Sequence, residues 1–333
     1  MQMNFSVKSM GYTIVSIFLL SYFLSVYWSL DVKPIDIRHE VALAATADNV
    51  TPVVGYTTST TLIKVASSIL DKPGGYLSND ALPPSIFLDN MPAWEFGVLE
   101  MVRDMALVLR KDFSRSQSQS LENIHIKKAQ PKFNIDHKSW AMPSAESEYR
   151  KAIESLHKYR DALVGINNVK DERAQFYARA DNLTSYLDEI QKRLGSYSQR
   201  LSASVGKNKI NTDLAGDNEA KQSSFESSRS QIRTSWWQLD DVFYESRGAA
   251  WALLHFLKAI EIDFDSVLKN KNATISLQQI IRELEASQQT LWSPMVLNGD
   301  GFGVLANHSL VMANYISRAN AALIDLNELL RKG

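Results

Sequence analysis

AQFYARADNLTSYLDEIQKRLGSYSQRL (Ala174–Leu201) is the most regular stretch of the chain. Phe176, Ala180, Leu183, Leu187, Ile190, Leu194, Tyr197 and Leu201 follow alternating steps of four and three. That spacing is a heptad seam and predicts a long helix with one apolar stripe. A second set follows at the same spacing: Phe225, Ile232, Trp236, Leu239, Phe243, Ala250, Leu253, Leu257, Ile260, Phe264 and Val267, broken only by Arg229 and Ser246. Between them, Ser204–Ser223 is polar and carries Gly206, Asn208, Asn211, Gly216 and Asn218. Two heptad helices joined by a polar loop predict a long antiparallel hairpin, with arms over 170–203 and 224–268. Equal steps from the loop set Leu201 against Phe225 and Leu194 against Ile232.

The neighbouring segments extend the helical reading. Pro143-Ser144 starts a helix whose first turn holds Glu146 and Glu148, a favourable sign at the positive end. Ser276-Leu277-Gln278-Gln279 fits a capping box, with Ile280, Leu284 and Leu291 behind it. The last helix carries Leu305, His308, Met312, Tyr315, Ala319, Ala322, Leu326 and Leu329 at heptad spacing, and Ile316 and Leu323 widen its apolar face. Upstream, Leu62, Val65, Ala66 and Ile69 mark a helix over Thr58–Asp71, ended by Lys72-Pro73-Gly74-Gly75. Glu95–Phe113 reads as a helix apolar nearly all round, hence central to a core.

Gly11–Leu30 (GYTIVSIFLLSYFLSVYWSL) is of another kind. It has no charged residue, and at ~1.5 Å per residue it reaches about 30 Å, the thickness of the hydrocarbon core. Tyr12 near one end and Tyr27 and Trp28 near the other suit the two interfaces. The nearest A-x-A matches, at Ala42 and Ala45, lie too far downstream for ordinary signal cleavage, so an uncleaved anchor is expected. No second span is visible. Lys8 precedes the segment and Lys33 and Arg38 follow it, which leaves the positive-inside rule without a clear vote. The short leading tail and the lack of cysteine favour an inner-membrane protein with its domain in the periplasm. The expected organisation is a tail and anchor over 1–30, a tether over 31–57, a helical and turn-rich subdomain over 58–143, and a helical bundle over 144–333. The fold class is mainly α.

Composition narrows the function. The chain has 333 residues, 45% of them hydrophobic and 22% charged, so it can bury a real core. Its 36 basic and 37 acidic residues leave a net charge of -1, which gives no pull towards nucleic acid. No cysteine is present, which excludes thiolate catalysis, zinc ribbons and cysteine-held clusters. The six histidines fall in no metal-binding spacing on one helical face, so neither a metal nor a cofactor is expected. Phosphate-loop and nucleophile-elbow motifs are missing. The glycines of Gly299–Gly303 read as a turn between helices rather than a phosphate loop.

Several features remain as candidates. Tyr76, Phe87, Met91 and Trp94 lie on a turn-rich stretch and form a candidate interaction surface; the alternative is a loop that plugs its aromatics into the core. Asn307 and His308 form a candidate polar site at the start of the last helix, against the alternative of a hydrogen-bonded core histidine. Glu95, Glu100, Glu146 and Glu148 are the carboxylates available to a glycan hydrolase. No catalytic residue is assigned.

Five long strings resemble a proteobacterial family known only as domain of unknown function 2333: Gly55–Asp80, Leu88–Leu99, Arg115–Ser120, Ser139–Ile153 and Ala306–Leu326. The resemblance implies a bacterial source and an inner-membrane address, and it brings no catalytic residues with it. The function expected on these grounds is a non-enzymatic envelope scaffold or adaptor that meets a protein partner through its hairpin. The alternatives are a cell-wall enzyme with its cleft near Gly75–Trp94, and a helical ligand-binding partner of another membrane protein.

Overall fold

The computed structural model describes residues 7–85, 88–115, 122–166, 174–205, 207–210, 229–232, 234–293, 295–299 and 304–332. Its helices are α1 (Val7–Trp28), α2 (Ile37–Asp48), α3 (Tyr56–Asp71), α4 (Asn90–Val108), α5 (Ile124–Phe133), α6 (Ala145–Val164), α7 (Ala180–Ser202), α8 (Leu239–Asp263), α9 (Asp265–Asn270), α10 (Thr274–Ser287) and α11 (His308–Lys332). A wider π turn, Leu109–Phe113, continues α4. A two-stranded antiparallel ribbon, β1 (Lys207–Ile210) and β2 (Arg229–Ile232), stands between α7 and α8, with Lys207 opposite Ile232.

Local chemistry sets the helix ends. Ser144 caps α6, accepting from Ser147 N, and Gly165 ends it in the left-handed region. Asp36 accepts from His39 N to start α2, and Asn49, at φ 52°, ends it. The first turn of α3 takes its anion from a distant helix: Asp263 accepts from both the backbone N–H and the hydroxyl of Thr58 at 2.7 Å. The capping box expected at Ser276 lies inside α10, which begins at Thr274.

α4 and α8 form the centre and run in the same direction. Trp94 meets Trp251 at one end, with ring centroids 5.2 Å apart, and Phe113 meets Phe264 at the other, also at 5.2 Å. They touch at backbone level where Gly97 faces Gly248. A Cβ on Gly97 would collide with Glu245 O, and one on Gly248 with Trp94 O. Antiparallel to both runs α3, with Thr58 beside Asp263 and Lys72 beside Glu95. One hydrophobic cluster takes in residues from Leu62 to Leu330. The expected division at residue 143 therefore falls inside a shared core.

The hairpin needs correcting. Leu183, Leu187, Ile190, Leu194, Tyr197 and Leu201 are buried, as are Leu239, Phe243, Leu253, Leu257 and Ile260. α7 and α8 are antiparallel, but α7 packs chiefly on α11, and α8 on α4. The pairing is also displaced: Arg200 bonds Glu245, and Phe176 meets Phe264 at 5.8 Å. The second arm is a helix only from Leu239, and Arg229–Ile232 is a strand. Phe225 lies outside the described residues. Among the described residues of this stretch, Arg229–Ile232 and Thr234–Gln238, only Ile232, Trp236 and Trp237 are apolar, too few to give a helix a buried face.

The tether needs correcting as well. Residues 31–57 hold α2, whose Ile37, Val41 and Ala45 are buried with Tyr56 and Ala259. The segment is a strap laid against the bundle.

Candidate functional site

The site begins where the membrane-length helix α1 meets the bundle. Lys72-Pro73-Gly74-Gly75 ends α3 in a turn, with Gly74 at φ 86° and Gly75 at φ 71°. Only a glycine leaves space at position 74, because the Trp28 indole lies across it and a Cβ would stand 2.7 Å from Trp28 Cγ. The Lys72 side chain folds back beneath this turn. Its Nζ lies 2.6 Å from Glu95 Oε1, with the two side chains 2% and 0% exposed. It also donates to Gly75 O at 2.5 Å. The Glu95 carboxylate accepts from Leu77 N and Ser78 N, each at 2.9 Å, and from the Ser78 hydroxyl. Burial raises the Glu95 carboxyl above the usual carboxylate range; the Lys72 ammonium and these donors oppose that rise. Every polar atom has a partner, so the pair fastens the turn under Trp28 to the start of α4.

Beyond Trp28 the strap is fastened twice to α8. Asp31 Oδ2 lies 3.1 Å from Arg247 Nη2. The same guanidinium donates to Ser287 O and Gln288 O at the end of α10. Ile35 N donates to His255 Nε2 at 2.8 Å, and His255 Nδ1 lies 2.6 Å from Trp251 O. One ring nitrogen must accept and the other donate, so the two bonds fix a neutral tautomer. Burial pushes the His255 pKa down to about 4, which agrees with that state. Sequence reasoning singled out neither residue. The available signal was a lone basic residue in each of two apolar runs, Gly248–Leu254 after Arg247 and Trp251–Leu257 around His255.

The structure places the sequence-based candidates differently. Tyr76, Met91 and Trp94 are buried, so they are core and offer no surface to a partner. Tyr76 donates to His137 O and stands edge-on to Tyr149. Phe87 lies outside the described residues. Asn307 caps α11 by accepting from Leu310 N, and its amide donates to Gly299 O. His308 Nδ1 accepts from Leu297 N at 2.9 Å, which ties Leu297 to the start of α11. The four glutamates are each occupied separately. Glu95 holds Lys72; Glu100 takes Arg193 and Tyr197; Glu146 takes Asn79; Glu148 takes Lys132 and Lys151. Among the described residues no group of three or more His, Asp or Glu stands ready for a metal ion.

Two clefts open at this end. One, of about 340 Å³, is lined by Ser78, Asp89, His137, Lys138, Asp241 and Glu245. Burial and then the charges of Asp89, Asp240 and Glu245 raise the Asp241 carboxyl. The other, of about 290 Å³, lies between Phe243, Arg247, Trp292, His308, Met312 and Tyr315.

The model of the family described as uncharacterized protein conserved in bacteria (DUF2333) matches residues 1–333. The chain belongs to this family. The DUF2333 match takes in α1, the strap and the bundle together. No curated protein and no solved structure matches the chain.

Proposed function

We propose that this DUF2333 chain is a non-enzymatic scaffold of the bacterial envelope, held in the inner membrane by α1 with its bundle on the periplasmic side. One observation carries the reading: α1 leads into a fastened strap. Asp31 on Arg247 and Ile35 on His255 fix the strap along α8, and Trp28 is seated on Gly74. A cleaved leader has no use for such a seat. A floppy tether lets a domain search space; a fastened one holds it in a set pose, which suits a platform for a partner. Partner contact belongs to the outer faces of the helices, since the α7 seam is filled from within.

Crosslinked pull-down of the full chain from membranes tests this reading. A defined envelope protein should be recovered with the wild type and lost with Arg247→Ala, whose strap is loosened. Equal recovery with both would remove the fixed pose from the argument.

A second reading has an observation of its own. The 340 Å³ cleft sets a raised carboxyl, Asp241, near Asp89 and His137, next to the Gly75–Trp94 stretch. Two carboxyl groups lining one cleft are the kind of pair that glycoside hydrolysis uses. Release of muropeptides by purified full chain, abolished by Asp241→Asn, would put the enzyme first.

A further inference from the structure

The exposed tryptophans outside α1 are distributed unevenly. Trp237 is 83% and Trp292 93% exposed, and Trp236, Met295, Val304 and Leu305 are exposed beside them in the chain. These residues come from two segments far apart in sequence, yet they share one end of the bundle. Trp236 and Trp237 lead into the first turn of α8. Trp292 borders the cleft formed by Phe243 and Arg247 from α8 and Met312 from α11. Met295, Val304 and Leu305 flank the Leu297–His308 hydrogen bond in the chain. The far end, around Asp263 and Tyr56, shows no exposed tryptophan among the described residues.

That shared end is also where α1 arrives. Trp28, the last residue of α1, is three residues from Asp31, a reach of at most about 11 Å. Asp31 is bound to Arg247, and Arg247 lines the same cleft as Trp292. If α1 lies in a bilayer, the headgroup layer, roughly 5–8 Å deep on each side, starts where Trp28 ends. An indole joins a broad apolar ring to one N–H donor, and that combination favours the headgroup layer over both water and hydrocarbon. Asp240 and Asp241 follow Trp236 and Trp237 closely in the chain, and Gln289 and Ser293 line the cleft beside Trp292, so the surface is too polar for the hydrocarbon and suits the wet layer.

We infer that Trp236, Trp237, Trp292, Met295, Val304 and Leu305 form a lipid-docking surface that seats the bundle in the headgroup layer of the membrane that α1 enters. The inference rests on the proposed membrane anchoring of α1. It adds a second attachment, made by the folded domain itself.

The chain has no cysteine, so single labelling sites are clean. Full-length Trp237→Cys, Trp292→Cys, Ile275→Cys and Ile17→Cys would each carry an environment-sensitive dye in phosphatidylethanolamine–phosphatidylglycerol vesicles. Ile275 is exposed at the start of α10, at the far end, and Ile17 lies within α1. A lipid-borne quencher near the top of the acyl chains should dim the dyes at 237, 292 and 17 and leave 275 unchanged. If 17 is quenched while 237 and 292 behave like 275, the docking surface is overturned and the anchor stands. If 17 escapes quenching, the anchor falls and the docking surface with it. If 237 and 292 are shielded in native membranes but not in pure lipid, the occupant is a protein and the inference is overturned.

Discussion

Each end of the bundle buries a carboxylate on backbone donors, and the two ends use it differently. At the far end, Asp263 closes the first turn of α3, and around it the side chains turn inward. Tyr56 donates to Asp48, Arg160 reaches the same Asp48 across the Tyr56 ring, and the rings of Phe113, Phe176 and Phe264 pack together, Phe176 edge-on to Phe264. At the α1 end, Glu95 holds Lys72 and two backbone N–H groups, yet the indoles of Trp140, Trp236, Trp237 and Trp292 face outward. Buried polar chemistry is thus found at both ends, and among the described residues the outward-facing indoles of the bundle lie at one end. That asymmetry separates what makes the bundle stable from what it is for.

The comparison can be broken at the α1 end first. Lys72→Met should leave the buried Glu95 carboxyl without its partner, costing about 3–5 kcal/mol in denaturant titration. Replacing Glu95 by Gln in the same chain should recover much of that loss; a single-variant loss below about 1 kcal/mol would mean the pair is solvated. Gly97→Ala, at the close crossing of α4 and α8, should force the two helices apart and cost about 1–3 kcal/mol or more. Its thermal midpoint should fall while Gly195→Ala, with open space around it, leaves the midpoint unchanged or higher.

His255 sharpens the comparison through pH. Its folded pKa lies near 4 against 6.5 for the free side chain, so the unfolded chain binds the proton more readily. Stability from the neutral ring is complete above about pH 6.5 and is lost as pH falls towards 4, by about 3 kcal/mol in total. Comparing wild type with His255→Gln at pH 7 and pH 4.5 isolates this slope; parallel curves would refute it. At the far end, Asp263→Ala should cost about 1–3 kcal/mol by leaving Thr58 without its acceptor. Smallest of all, Trp237→Ser should change folding by about 0.5 kcal/mol or less, since its ring touches little protein. A larger loss would make Trp237 a structural residue.

Much of this architecture was legible because dense stripes leave little choice. Leu183 to Leu201 in α7, Leu62 to Ile69 in α3 and the apolar run of α4 each bury the face that their spacing marks. Sparse stripes failed. Phe225, Ile232 and Trp236 fit the heptad count, but Ile232 lies in a strand and Trp236 faces solvent. The short stripe Ile37, Val41 and Ala45 in α2 was too brief to stand out from a tether. The candidate site was less legible still. Lys72 looked like part of a breaker, and nothing in its neighbours shows that its ammonium turns inward to a carboxylate 23 positions on. Tyr76, Met91 and Trp94 were noticed for the right reason, their aromatic or soft character among turn residues, and only the fold shows that they point into the core.

The strap also has a mechanical consequence. Its two fastenings, on Arg247 and His255, lie two turns apart along the same helix, and the strap runs parallel to that helix between them. Tension on α1 along this axis loads both bonds together in shear, instead of peeling them one after the other. A tilt of α1 is thereby passed to α8 as a torque, and through the backbone contact of Gly97 with Gly248 to α4. The bundle should swing with the membrane-length helix as a stiff arm on a short lever.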